Sequence, residues 1–141
     1  MPLAIGARAY SAYSKLIESP RWRRAFNAGA RPQRLLFAST GTKDPKASDT
    51  LYVKGLFAPL TVNTVPEGTL KALAALEDTR QNMRADGGDS AEALKRFAEA
   101  GVDVAALATQ LQEEGAKSFV ASWRGLMDVI ASKSESLHQA R

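Results

Sequence analysis

The chain has 141 residues, 45% of them hydrophobic and 24% charged, with a net charge of +4; this is enough for one domain with its own core and too ordinary a composition for a disordered one. It contains no cysteine, which excludes disulfide and thiolate chemistry and fits a cytoplasmic setting. No apolar run approaches the roughly 20 residues that span a bilayer, and the first ten residues do not form a secretory leader, so neither membrane insertion nor export is expected.

The charge is unevenly spread. Residues 1–54 carry ten Lys/Arg against three acids, and residues 55–141 carry nine against twelve. A basic first half suits a phosphorylated small molecule or a nucleic acid.

In chain order, Leu3, Ala7, Tyr10, Tyr13 or Ser14, Leu16 and Ile17 recur at helical spacing and predict a helix over 3–18. Pro20 ends it and opens a short second piece, in which Trp22 and Phe26 share a face. Gly29 is placed to stop that piece, and Arg31-Pro32 forces an extended entry into the next element. The run 35–39 reads as a strand buried on both faces, because its apolar residues do not alternate. Asp49 is a candidate cap for a short helix over 51–56, and a second strand follows at about 61–65. Pro66 then starts a helix over 66–76.

The polar run 77–89 reads as a flexible loop, and Asp89 with Glu92 as a capping box for a helix over 90–100 that stops at Gly101. Asp103 caps a helix over 104–114, ending near Gly115. A last helix over 117–131 is expected to bury Phe119, Val120, Trp123, Leu126, Met127 and Ile130, with a fraying tail over 132–141. The whole is α/β and mostly helical, with two parallel strands and about six helical segments. Two strands do not make a stable sheet alone, so the chain reads as a single partial domain of something larger.

The run Arg31-Pro-Gln-Arg-Leu-Leu-Phe-Ala-Ser-Thr-Gly-Thr-Lys-Asp-Pro45, then Ser48-Asp-Thr-Leu-Tyr-Val53 and Thr61-Val-Asn-Thr-Val-Pro66, resembles transaldolase. The bacterial branch it is similar to reads RPQRLLWASTGTKNP, then SD.LYV and TVNTMP. Further likeness lies at Arg8 to Tyr13 and Pro20 to Trp22, and at Gly101 to Asp103 and Gln110 to Phe119. Phe37 stands where the family has Trp, and Asp44 where it has Asn.

The resemblance implies the C-terminal part of a (β/α)8 TIM barrel, with 35–39 as strand seven and 61–65 as strand eight. It implies transfer of a dihydroxyacetone unit between sugar phosphates in the pentose phosphate pathway, through a Schiff base on a fourth-strand lysine. That strand, and the strands bearing the acids that assist it, are not expected in this chain. Strand seven carries part of the phosphate site in the family, so the resemblance points to Ser39 and Thr40. A second branch has an arginine at the position of Gly41, which leaves Lys43 as the candidate for the charge.

No lysine lies on a predicted strand, so no catalytic residue is assigned and the chain alone is not expected to form the Schiff base. No metal or cofactor is expected, because the acids lack ligand spacing. The partners expected are a sugar phosphate and the missing barrel half, or self-association. An alternative is a non-catalytic interaction protein that docks through open strand edges. Arg21, Arg23, Arg24, Arg31 and Arg34 with Trp22 read more readily as a solvated face than as a nucleic-acid patch. Asn63 and Thr64 read as structural strand-end residues, and His138, in the tail, as without function.

Overall fold

The computed structural model describes residues 1–76 and 83–139. The chain separates into two compact units, Met1–Phe97 and Ala98–Arg141, each described by itself.

The first unit opens with α1 (Pro2–Glu18) and α2 (Pro20–Asn27). The break between them is local backbone chemistry. Ser19 is extended (φ −63, ψ 147), and its hydroxyl oxygen accepts the Trp22 N–H at 3.2 Å, while Pro20 supplies a preset φ and no N–H at the first helical position. Gly29, at φ +96, ends α2; the Ala30 N–H reaches back to the Ala25 carbonyl at 3.0 Å. The buried face of α1 is built from small residues, Ala4, Gly6, Ser11 and Ser14 with Tyr10, whereas Leu16 is exposed. Gly6 lies directly against Leu56, which a side chain there would displace, and Phe37 is in ordinary contact distance of the same point.

Strands β1 (Leu35–Phe37) and β2 (Thr61–Asn63) pair in parallel, with Leu35, Leu36 and Phe37 opposite Thr61, Val62 and Asn63. Both are shorter than the expected 35–39 and 61–65. Burial on both faces is not met either: Leu36 is 51% exposed, because among the described residues the sheet has two strands and β1 pairs on one side. The Tyr13 hydroxyl and Asn63 Oδ1 are buried without a hydrogen-bond partner among the described residues. Such groups normally find partners.

Between the strands lies α3 (Leu51–Gly55). Its cap position is Thr50, not Asp49, and no side chain caps it. Ser48 does the local work instead: its carbonyl accepts the Leu51 N–H at 3.0 Å and its hydroxyl oxygen accepts the Thr50 N–H at 3.3 Å. After β2 come α4 (Glu67–Ala74) and α5 (Ser90–Glu99).

Of the expected loop 77–89, residues 77–82 lie outside the described residues. The rest is ordered by turns. Met83 donates to the Phe57 carbonyl at 2.7 Å. The Arg84 guanidinium, 2.6 Å from Asp86, and the Gly88 N–H together hold the Asp86 carboxyl down to about 2. The expected capping box is replaced by an i, i+4 pair, in which Glu92 meets Arg96 at 3.3 Å.

The second unit is dominated by α6 (Val104–Gln139), a single helix of 36 residues. Asp103 caps it as expected, its carboxylate accepting the Ala105 and Ala106 N–H groups at 2.9 Å. The predicted stop at Gly115 does not occur. An interior glycine costs about 1 kcal/mol relative to alanine, too little to end a helix flanked by strong formers and a Gln110–Glu114 hydrogen bond of 2.8 Å. The expected fraying tail is helical through Gln139, with the Ser136 hydroxyl donating to the Ser132 carbonyl at 2.9 Å. Burial of the apolar stripe is also overturned: Phe119 is 80% exposed and Trp123 63%. Among the described residues no helix is long and apolar enough to cross a membrane.

Candidate functional site

The carboxyl ends of β1 and β2 are tied together beyond the strands themselves. The Thr64 N–H donates to the Phe37 carbonyl at 3.1 Å, and the Thr40 N–H donates to the Thr64 carbonyl at 3.0 Å. The Thr40 hydroxyl donates to that same carbonyl at 3.2 Å, and the Ser39 N–H donates to the Thr64 hydroxyl oxygen at 2.9 Å. Together these bonds hold Ser39 at φ +53, a left-handed backbone costing an L-residue roughly 1–2 kcal/mol. Strain of this kind persists where neighbouring bonds over-determine it, and it collects at functional sites.

Beside this lock lies a cleft of about 500 Å³. One wall is Ser39, Gly41, Thr42, Lys43 and Asp49; the other is Pro66, Gly68 and Thr69 at the start of α4. Gly41 is required by the close approach of the walls, because a Cβ there would sit 2.7 Å from Pro66 Cγ. The loop carrying Lys43 is braced: the Thr42 hydroxyl donates to the Ser48 carbonyl at 2.9 Å, and Asp44 accepts the Lys46 N–H at 2.9 Å.

The structure brings Ser39 and Lys43 to the cleft and leaves Thr40 out of its lining. Thr40 is buried, with its hydroxyl hydrogen committed to Thr64. The Ser39 hydroxyl makes no hydrogen bond among the described residues, and Lys43 is exposed and meets no carboxylate there. Among the described residues the side chains lining this space with unused donors are therefore the Ser39 and Thr69 hydroxyls and the Lys43 ammonium. The first turn of α4 adds backbone N–H groups without intrahelical partners. Such a set suits an oxyanion.

Asp49, Gly68 and Thr69 also line the cleft, and their residue types alone do not mark them as site residues. The signal available was position: Gly68 and Thr69 open the helix after a parallel strand, where ligands of such sheets gather. Among the described residues no group of three or more His, Asp or Glu is placed to hold a metal ion.

Residues 2–130 match the family model described as Transaldolase/Fructose-6-phosphate aldolase. Similar curated proteins include the "Transaldolase" of Parafrankia sp. (strain EAN1pec), 46% identical over 123 residues, which are 86% of this chain and 33% of that protein. Those of Thermobifida fusca and Mycolicibacterium smegmatis are each 43% identical, over 93% and 91% of this chain and 36% and 35% of their own lengths. The chain spans about a third of the length of these curated relatives.

Proposed function

The chain belongs to the Transaldolase/Fructose-6-phosphate aldolase family, and from that premise we propose that it supplies the phosphate-holding side of a transaldolase-type active site in the cytoplasm. In this reading β1 and β2 are strands seven and eight of a (β/α)8 barrel, and residues 1–141 are one partial barrel domain. The reaction is transfer of a dihydroxyacetone unit between sugar phosphates of the pentose phosphate pathway, through a Schiff base on a lysine that this chain does not supply.

The carrying observation is the convergence on one cleft, at the strands' carboxyl ends, of a Ser39 hydroxyl and a Lys43 ammonium with no partner among the described residues and of the first turn of α4. The ammonium supplies charge, while the hydroxyl and the α4 amides supply direction. Thr40 takes a positioning role through its bonds to Thr64. Anchoring the phosphate fixes the remote end of the sugar, so that binding energy orients the carbonyl end for chemistry done by other residues.

Titrating the isotope-labelled chain with fructose 6-phosphate is expected to shift the amide signals of Ser39, Thr42, Lys43 and Gly68. Lys43→Ala is expected to weaken this binding about tenfold, the scale of one charge-assisted contact. Unchanged affinity in the variant would remove Lys43 from the site. In a separate measurement, borohydride reduction with fructose 6-phosphate is expected to leave the mass of the isolated chain unchanged. A trapped adduct would show that the nucleophile lies within these residues after all.

The alternative, a non-catalytic half-barrel that docks to a partner, draws on one specific observation: among the described residues β1 has no second neighbour in the sheet, and it exposes Leu36.

A further inference from the structure

Among the described residues, the start of α4 is a helix end without a cap. Its cap position is Pro66, which has no side-chain oxygen and makes no capping bond. Ser, Thr, Asp or Asn normally stands there and accepts a first-turn N–H. The Leu70 N–H takes the Pro66 carbonyl at 3.0 Å, so the N–H groups of Glu67, Gly68 and Thr69, which precede it, have no helical carbonyl to reach. Glu67 is the acid of this turn, and its carboxylate is held by Lys71 at 2.6 Å, one turn further along the helix.

Thr69 stands beside these amides. It is 6% exposed, yet it lines the Ser39 cleft, and its hydroxyl has no hydrogen-bond partner among the described residues. A threonine buried to this degree ordinarily spends its hydroxyl on a neighbour. Across the cleft, Gly41 keeps the space in front of that hydroxyl clear: a Cβ on Gly41 would stand 3.6 Å from Thr69 Oγ1. A buried neutral donor and a set of uncapped amides thus open on the same space.

We infer that the phosphate of the ligand is the missing cap of α4 and that Thr69 is a phosphate-contacting residue. Its hydroxyl donates to one terminal oxygen, and the Gly68 and Thr69 N–H groups donate to another. This rests on the phosphate reading of the cleft, and adds to it a buried contact and a consequence for the helix. Phosphate suits the place better than a carboxylate does. Donors stand on both walls, Ser39 and Lys43 on one and Thr69 with the α4 amides on the other, and a tetrahedral group has oxygens to offer each. Asp49 is the one acid at the lining; it repels a second anion and suits a sugar hydroxyl carried beside the phosphate. A ligand received only by the formed helix end stabilises that end.

The intact chain, isotope-labelled, is titrated with inorganic phosphate and with fructose 6-phosphate, and with acetate and fructose as controls. Both phosphates are expected to shift the Gly68 and Thr69 amides. They are also expected to slow hydrogen exchange at Leu70 about tenfold when the ligand stands at ten times its Kd. Acetate and fructose at the same concentrations are expected to do neither. Thr69→Val, which keeps the shape and deletes the hydroxyl, is expected to weaken fructose 6-phosphate binding about tenfold, and Thr69→Ser to restore it to within about twofold. Pro66→Ser supplies an internal cap, so it is expected to slow Leu70 exchange without ligand and to weaken binding about fivefold. Unshifted Tyr10 and Leu56 amides check that the variants remain folded. Parent affinity in Thr69→Val, or in a Pro66→Ser chain whose Leu70 exchange has slowed, with Ser39 and Lys43 still responding, would overturn this inference and leave the phosphate reading standing. No response at Ser39, Lys43 or Gly68 in the parent would overturn both. Shifts by acetate equal to those by phosphate would overturn the choice of phosphate as the cap.

Discussion

Leu56→Ala is expected to abolish the cooperative unfolding transition of the first unit. The buried apolar residues among those described are few: Ala4, Tyr10, Val53, Leu56, Ala58 and Leu94, and no side chain is less than 2% exposed. Leu56 is the one that seats directly on Gly6 of α1, beside Phe37 of β1, so it joins α1, α3 and the sheet in one place. Truncating a buried leucine costs about 2–5 kcal/mol through lost transfer energy and the cavity left behind. A unit of this size with so thin a core has a total stability near the low end of the usual 5–15 kcal/mol, so the loss is comparable with the whole. Urea unfolding followed by circular dichroism measures it. Leu51→Ala, at a residue already 38% exposed, is the control and should cost less than about 1 kcal/mol. A Leu56→Ala curve that overlays the control would show that the joint is not where the unit is held. The loop bearing Lys43 runs directly into α3, so the same variant should also lose the phosphate-induced amide shifts.

The second large effect is expected on α6. Phe119, Trp123 and Ile130 share one face and are 80%, 63% and 52% exposed. An apolar stripe of that extent is rarely left in water. The parent chain is therefore expected to associate, with a light-scattering mass that rises with concentration. Replacing all three residues by Gln removes roughly 1.5–3 kcal/mol of burial each, enough to weaken association about a thousandfold or more. Helix content should be retained, because Gln is a good helix former. Arg124→Gln with Asp128→Asn, away from the stripe, should leave the mass as in the parent. If the triple variant associates as strongly as the parent, the stripe is not the sticking surface and the open edges of the sheet become the explanation.

These residues also show what a sequence can and cannot disclose. Ser19-Pro20, Gly29, Gly101 and Asp103 act within a few residues of themselves, so the boundaries they set could be read directly. The two strands were legible from their apolar runs, aromatic in β1 and β-branched in β2, and their parallel pairing agrees with the reading of the first run as non-alternating. Gly115 misled because a glycine's local cost is small beside the propensity of its neighbours. The exposure of Phe119 and Trp123 was illegible in principle: periodicity says that a face wants burial and says nothing about whether a partner is at hand. Ser39 and Lys43 reached the cleft through the resemblance, whereas the separate fate of Thr40 depends on a carbonyl 24 residues away. The left-handed backbone of Ser39 depends likewise on the distant Thr64 hydroxyl. Neither contact leaves a mark in the local sequence.

The lock at Thr64 also bears on how a ligand would be received. With Ser39 and Thr40 tied across to the neighbouring strand, the floor of the cleft is set during folding and not on encounter. A phosphate arriving there would find the Ser39 backbone already in its uncommon conformation and the α4 amides already presented, leaving chiefly the Lys43 side chain to be immobilised. Freezing one long side chain costs about 0.5–1.5 kcal/mol. Preorganisation of this kind leaves more of the contact energy available for affinity, and it places the entropic cost on a single exposed residue.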